Sequence, residues 1–267
     1  MREMRETLRA TFGRVLRLEN RRGALRQGAL DRIAVFESKI LGNARQISVF
    51  LPPGYDRGRR RYPVLYMQDG QNLFEPQRAF VPGQSWKLDH AAEKGIAHRT
   101  VEPVIIVGID HAGSARVDEY THAADYGRML IEELKPMIDA RYRTDAEVTA
   151  IGGSSLGGLA ALFLGLTRPE LFTRLAAMSP SVWWDHRSIL DVVDRFTGRR
   201  RPRIWLDVGG REGGDTLRDV RTLRDRLFAR GWAEDELGYR EDRRGDHSER
   251  AWARRARPML EFLFPAG

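Results

Sequence analysis

The chain predicts an α/β fold with a mostly parallel central sheet, and three observations carry that prediction. Apolar runs without alternation recur through its middle and end, as expected of strands covered on both faces. Segments of helical periodicity separate those runs. Two alternating segments near the start have the pattern of an antiparallel hairpin placed ahead of the parallel strands.

The hairpin comes from Arg32–Glu37 and Arg45–Leu51, joined by the turn residues Leu41, Gly42, Asn43 and Ala44. Pro52, Pro53, Gly54 and Tyr55 then break the sheet pattern. The continuous apolar runs are Tyr62–Met67, Val104–Ile109, Glu147–Ile151, Leu175–Ser179 and Arg203–Val208, followed by Leu237–Glu241 as the last strand. A helix is expected from about Ala124 to Tyr142, others follow the strands, and a final one runs from about Glu249 to Phe262. With helices on both faces, this reads as one domain over residues 31–267, preceded by an appended segment over residues 1–30. Within that segment Leu8, Phe12, Val15 and Leu18 lie at helical spacing.

Composition narrows the function classes. No run of 18 apolar residues exists, so no spanning helix is expected, and the arginine-rich start lacks the apolar core of a signal peptide. Cytoplasmic location is the resulting expectation. Cysteine is absent, which removes disulfides, thiol catalysis and cysteine-ligated metal. The net charge of +8 raises the question of a polyanion partner. Its densest clusters, Arg57–Arg61 and Arg199–Arg203, lack interleaved aromatics or a groove-reading module. They read as solvated loops rather than a nucleic-acid site. Oligomeric state is not legible.

In an open parallel sheet, functional groups gather where the strands end. The expected loops there contain Asp69, Gly70 and Gln71; Asp110 and His111; Gly152–Leu156; Ser181, Trp183 and Trp184; Gly209–Asp215; and Gly245–His247. The most informative is Gly153-Ser154-Ser155-Leu156-Gly157, a G-x-S-x-G pentad between an apolar run and an alanine- and leucine-rich segment. A serine on such a sharp strand-to-helix turn needs glycine two positions before and after it, where larger side chains would clash. Chance alone would produce the pentad in roughly one chain in ten of this length, so its surroundings must support it.

A serine hydroxyl needs a base, and the base needs an orienting acid. Of the two histidines after Ser155, His186 follows the wrong strand and His247 lies between the last strand and the last helix, where the base belongs. The acid should follow the Arg203–Val208 strand. Glu212 stands nearest its end and is preferred; Asp215 is the alternative, although it also suits a helix N-cap. Backbone N–H groups of Leu156 and Gln71 are the expected oxyanion donors. Trp183 and Trp184 either line an acyl pocket or pack a loop. Asp110, His111, Asp118, Glu119 and His122 lack metal-ligand spacing, so neither metal nor cofactor is expected.

These blocks resemble the putative-esterase group of α/β-hydrolases, which includes esterase D-like enzymes, enterochelin esterases and feruloyl esterases. The matching stretches are Leu51–Tyr55, Tyr62–Phe74, Ser85–Asp89, Val107–Asp110 with Arg116, Glu119 and Tyr120, Gly152–Gly158, Met178–Ser181 and Gly245–His247. The resemblance implies the α/β-hydrolase fold and a carboxylic-ester hydrolase with Ser155 and His247 in catalytic roles, acting on a small-molecule ester. It points to Glu212 as the acid, although aspartate is more usual in many relatives. It also places Asp69, Trp86, Arg116, Tyr120 and Trp183 around the substrate. Acyl transfer to another acceptor, thioester cleavage, or a non-catalytic binding role on the same scaffold are the competing readings.

Overall fold

The computed structural model describes residues 27–267. The amphipathic pattern expected within residues 1–22 lies outside them. Eight strands form one sheet in the order β1-β2-β4-β3-β5-β6-β7-β8. They are β1 (Ala29–Ser38), β2 (Asn43–Leu51), β3 (Tyr62–Gln68), β4 (Ile105–Ile109), β5 (Thr144–Ser154), β6 (Arg174–Met178), β7 (Arg203–Gly209) and β8 (Leu237–Asp242). The expected hairpin is β1 and β2, which pair antiparallel from Ala29↔Leu51 to Ser38↔Asn43. β2 then pairs antiparallel with β4, and every remaining pairing is parallel.

The apolar runs lack alternation because both faces of the sheet are covered. Val64 and Tyr66 of β3 point into one core, with Val107, Ile151, Leu162 and Leu223. Leu65 and Met67 point into the other, with Ile106, Met178, Trp252 and Met259. The second face is roofed by α1 (Leu88–Ala97) and by the last helix, which pack on each other. The first face carries α2 (Arg116–Thr121), α3 (Ala123–Arg128), α4 (Lys135–Arg141), α5 (Leu156–Thr167), α6 (Ser188–Asp194) and α7 (Gly214–Ala229); the last helix is α8 (Glu249–Leu263).

The helix expected over 124–142 is present in pieces. A π-helical turn, Met129–Leu134, separates α3 from α4. Pro136, in the first turn of α4, has no N–H to continue an α-helical ladder, and a wider turn precedes it. The basic clusters are loop residues beside strands, except Arg203, which opens β7. Arg60 pairs with Glu102 at 3.6 Å and Arg201 with Glu236 at 3.3 Å. Among the described residues no helix is long and apolar enough to cross a membrane.

Candidate active site

The parallel strands β3 to β8 end at one edge, and the loops that leave that edge carry the chemistry. At the end of β5 the chain turns sharply into α5, and Ser155 sits at the corner with φ 56° and ψ −125°. Positive φ is uncommon for a non-glycine residue and costs on the order of 1–3 kcal/mol, so the surroundings must hold it. Ser155 N–H donates to Met178 O at 3.0 Å, and Ser181 N–H donates to Ser155 O at 3.1 Å, which stitches the corner to the loop after β6. The glycine requirement is visible in the packing: a Cβ on Gly153 would lie 2.7 Å from the Gly157 backbone. Ser155 Oγ lies 3.2 Å from Ser181 Oγ.

The loops after β7 and β8 are built as a pair. Gly210 N–H donates to Asp242 O at 2.8 Å, and Arg211 N–H to Gly245 O at 2.9 Å. This brings Glu212 and His247 together, with His247 Nδ1 2.8 Å from Glu212 Oε2. The next residue, Ser248, caps α8 by accepting from Ala251 N–H, so the histidine stands immediately before the helix cap. Glu212 is buried, with 1% of its side chain exposed, while the imidazole is 44% exposed and faces solvent. Trp252 supports the ring edge-on, with centroids 4.9 Å apart. Burial disfavours the charge on Glu212, but hydrogen bonds from His247, Ser179 Oγ and Gly209 N–H outweigh it and hold the carboxyl below its ordinary value.

Asp215, the alternative acid, is in the first turn of α7, where its exposed carboxylate pairs with Arg218. His186 lies in a left-handed turn remote from this pairing.

The loop after β3 bears the second group. Asp69 adopts φ 55° ahead of a single 3₁₀ turn, Gly70–Asn72. Arg116 grips its carboxylate in bidentate fashion, Nε to Oδ1 and Nη2 to Oδ2, both at 2.7 Å. Tyr120, fully buried, accepts from Asp69 N–H at 3.2 Å. Gly70 presses on the Gly108 backbone, where no side chain could stand. Gln71 follows directly; its Oε1 accepts from His111 N–H at 3.3 Å. Glu119 faces away from the loop, bound by Arg45 and Asn43 at 2.7 Å each.

Trp86 is buried and its indole N–H donates to Glu249, whose other carboxylate oxygen accepts from Asn72 Nδ2 at 3.0 Å. Burial raises Glu249 to about 7. Trp183 is 55% exposed, with its ring 5.6 Å from that of Trp184 in the same loop. A cleft of about 680 Å³ beside α5 is lined by Trp184 rather than Trp183, together with Tyr120, Leu159, Phe163, Ile189 and Phe196.

Several residues of this site were not singled out from sequence. Ser179, fully buried at φ 44°, donates to Glu212 Oε1 at 2.5 Å and accepts from Trp252 Nε1 at 3.1 Å and Arg255 Nη2 at 2.9 Å. Asp207, also fully buried, accepts from Trp205 Nε1 at 2.7 Å and Ser179 N–H at 3.2 Å. Arg255 offered a signal: it falls on the stripe of α8 that carries Trp252, Ala256 and Met259, where an arginine must be buried.

Strand order, the strained serine between β5 and α5, and loops after β7 and β8 that hold an acid against a histidine define the α/β-hydrolase class. The solved structures agree. An enterobactin esterase from Shigella flexneri superposes with a TM-score of 0.73 at 23% identity, covering 90% of this chain and 61% of that one. A ferulic acid esterase gives a TM-score of 0.71 at 20% identity, covering 89% and 98%.

The family model described as "Putative esterase" matches residues 38–263, and the chain belongs to that family. Among curated relatives, the uncharacterized protein YbbA of Bacillus subtilis is 23% identical over 82% of this chain and 92% of its own length. The ferri-bacillibactin esterase BesA of the same organism is 30% identical over 51% of this chain and 53% of its own. The iron(III) enterobactin esterase of Escherichia coli strain K12 is 35% identical over 57% of this chain and 36% of its own. The alignments thus span about half of BesA and about a third of the enterobactin esterase. Relatives named as esterases support a hydrolase.

Proposed function

We propose that the protein is a serine carboxylic-ester hydrolase working through an acyl-enzyme. Ser155 Oγ attacks the ester carbonyl, turning from Ser181 toward His247, whose Nε2 takes the proton. Glu212 holds Nδ1 and stabilises the imidazolium. Leu156 and Gln71 N–H groups receive the oxyanion, and the protonated histidine returns its proton to the leaving alcohol. Water, activated by the same histidine, then releases the acid and restores Ser155.

The observation that carries this reading is the 2.8 Å pairing of His247 with a buried Glu212, at the same sheet edge as a serine held at φ 56°. An imidazole so oriented has its second nitrogen left for a hydroxyl. Arg116 and Asp69 fix the loop that bears Gln71. Siderophore and feruloyl esters, the substrates in the relatives' names, are the first to assay, beside short acyl esters.

Labelling by a fluorophosphonate probe tests the proposal. Wild type should be labelled and Ser155→Ala should not, with turnover of p-nitrophenyl esters reduced at least ~10⁴-fold. Equal labelling of the variant would remove Ser155 as the nucleophile.

A further inference from the structure

Behind Glu212 lies a second carboxylate and a guanidinium, all three buried. Arg255 Nε is 3.3 Å from Asp207 Oδ1, and Nη2 is 3.7 Å from Glu212 Oε1; neither arginine nor aspartate has more than 1% of its side chain exposed. The arginine donates one hydrogen bond, from Nη2 to Ser179 Oγ at 2.9 Å, and Nε and Nη1 donate none among the described residues. A guanidinium recruited for its fork would grip a carboxylate with paired bonds near 2.8 Å. This one lies between two carboxylates at longer range, so its charge matters more than its bonding.

We infer that Arg255 and Asp207 are positioning residues that set the net charge seen by the His247–Glu212 pair, leaving one negative charge beside the imidazole. Two carboxylates and one guanidinium sum to minus one in the resting state. When His247 accepts the serine proton, the cluster of His247, Glu212, Asp207 and Arg255 becomes neutral overall. That neutrality favours the imidazolium at the moment it is needed, without presenting two unscreened negative charges at rest. Burial raises Asp207 to about 6 despite Arg255, as expected of a carboxylate held for electrostatic reasons at a cost. The inference rests on the proposed roles of His247 and Glu212.

Other charges face the group from each neighbouring element. Glu249 and Arg254 belong to α8, Asp242 ends β8, and Asp69 and Arg116 lie across the site beyond Glu249. None of them is changed in the test.

The test compares Asp207→Asn with the double variant Asp207→Asn/Arg255→Met. The first leaves a net charge of zero beside His247; the second restores minus one. The NMR titration of His247 Hε1, recorded in a Ser155→Ala background, and the acid limb of kcat/KM are the two readouts. In Asp207→Asn both midpoints should fall by roughly half a unit or more, and kcat should drop by about tenfold. The double variant should bring both midpoints back toward the wild-type position and raise kcat above that of Asp207→Asn. Replacing a buried ion pair by neutral groups of similar volume is tolerated far better than breaking it, so the double variant is expected to fold.

Unmoved midpoints in folded Asp207→Asn would overturn the inference. So would a double variant more impaired than the single, which is the pattern of a merely structural pair. Should the double variant not fold, the direction of the shift in Asp207→Asn decides alone. Shifted NMR midpoints in a protein that hydrolyses no ester would sink the esterase reading and leave the charge balance standing.

Discussion

Two arginines serve this site in opposite ways. Arg116 holds Asp69 with two bonds of 2.7 Å, a quarter of its side chain still exposed, and its partner is a loop residue in a left-handed conformation. Arg255 is completely buried and stands 3.3 and 3.7 Å from two carboxylates. Burial works against the charge on Arg116, yet its carboxylate partner more than compensates and raises it above its ordinary value. The first arrangement fixes geometry, because a bidentate pair restrains orientation as well as distance. The second sets a potential, because a charge without aligned bonds restrains little. In the proposed mechanism, the side that holds the oxyanion loop has the rigid pair, and the side that accommodates a travelling proton has the loose one.

The contrast can be broken first at the acid. Glu212→Gln keeps the shape and removes the charge that orients His247, so kcat should fall by about 10³-fold or more, with the fold intact. Asp215→Asn, which alters an exposed carboxylate on α7, should stay within about twofold of wild type. Steady-state kinetics on both variants would separate the two acids, and the reverse ranking would exchange their roles.

At the rigid pair the expected effect is smaller. Arg116→Met frees Asp69 and the turn bearing Gln71, and should cost about 2 kcal/mol of transition-state stabilisation, roughly 30-fold in kcat/KM. If Arg116 also contacts substrate, the loss will depend on the ester used; if it only fixes the loop, neutral and anionic esters will suffer alike.

The smallest effect concerns Glu249, between Asn72 and Trp86. Its carboxyl is raised from 4.5 to about 7, first by burial and further by Asp69, with the Trp86 hydrogen bond opposing. A carboxyl raised on folding stabilises the protonated protein, so the benefit is present below pH 4.5 and is lost as the pH rises through about 7. Glu249→Gln should therefore leave stability unchanged near pH 4 and increase it near pH 8. Allowing for its partial exposure, the gain is on the order of 1 kcal/mol, readable as a higher Tm. An equal Tm at pH 8 would show that Asn72 and Trp86 already satisfy the ionised form.

How much of this was legible in the chain follows from the range of each interaction. The strands β3 to β7 were readable because a sheet covered on both faces demands continuous apolar runs, a local requirement. The split of the 124–142 helix was not anticipated, although Pro136 marked the place. Ser155 was distinguishable from Ser154 because the glycines that permit the elbow are its near neighbours. His247 could be placed by strand order, which narrowed the acid to Glu212 or Asp215.

What no local pattern could supply was the company these residues keep. Glu212 and Asp215 are three positions apart, and only the hydrogen bonds that join the loops after β7 and β8 turn one toward His247 and leave the other in water. Asp207 reads as a polar interruption in a strand and Arg255 as one of many arginines, until α8 packs across the sheet and sets them 3.3 Å apart. The sequence by itself determined the class of fold, the sharp corner that bears Ser155 and the order of the candidate catalytic groups, because these depend on spacing along the chain. The tertiary structure alone decided which acid meets the histidine and which charge stands behind it, because both depend on contacts between residues remote in sequence.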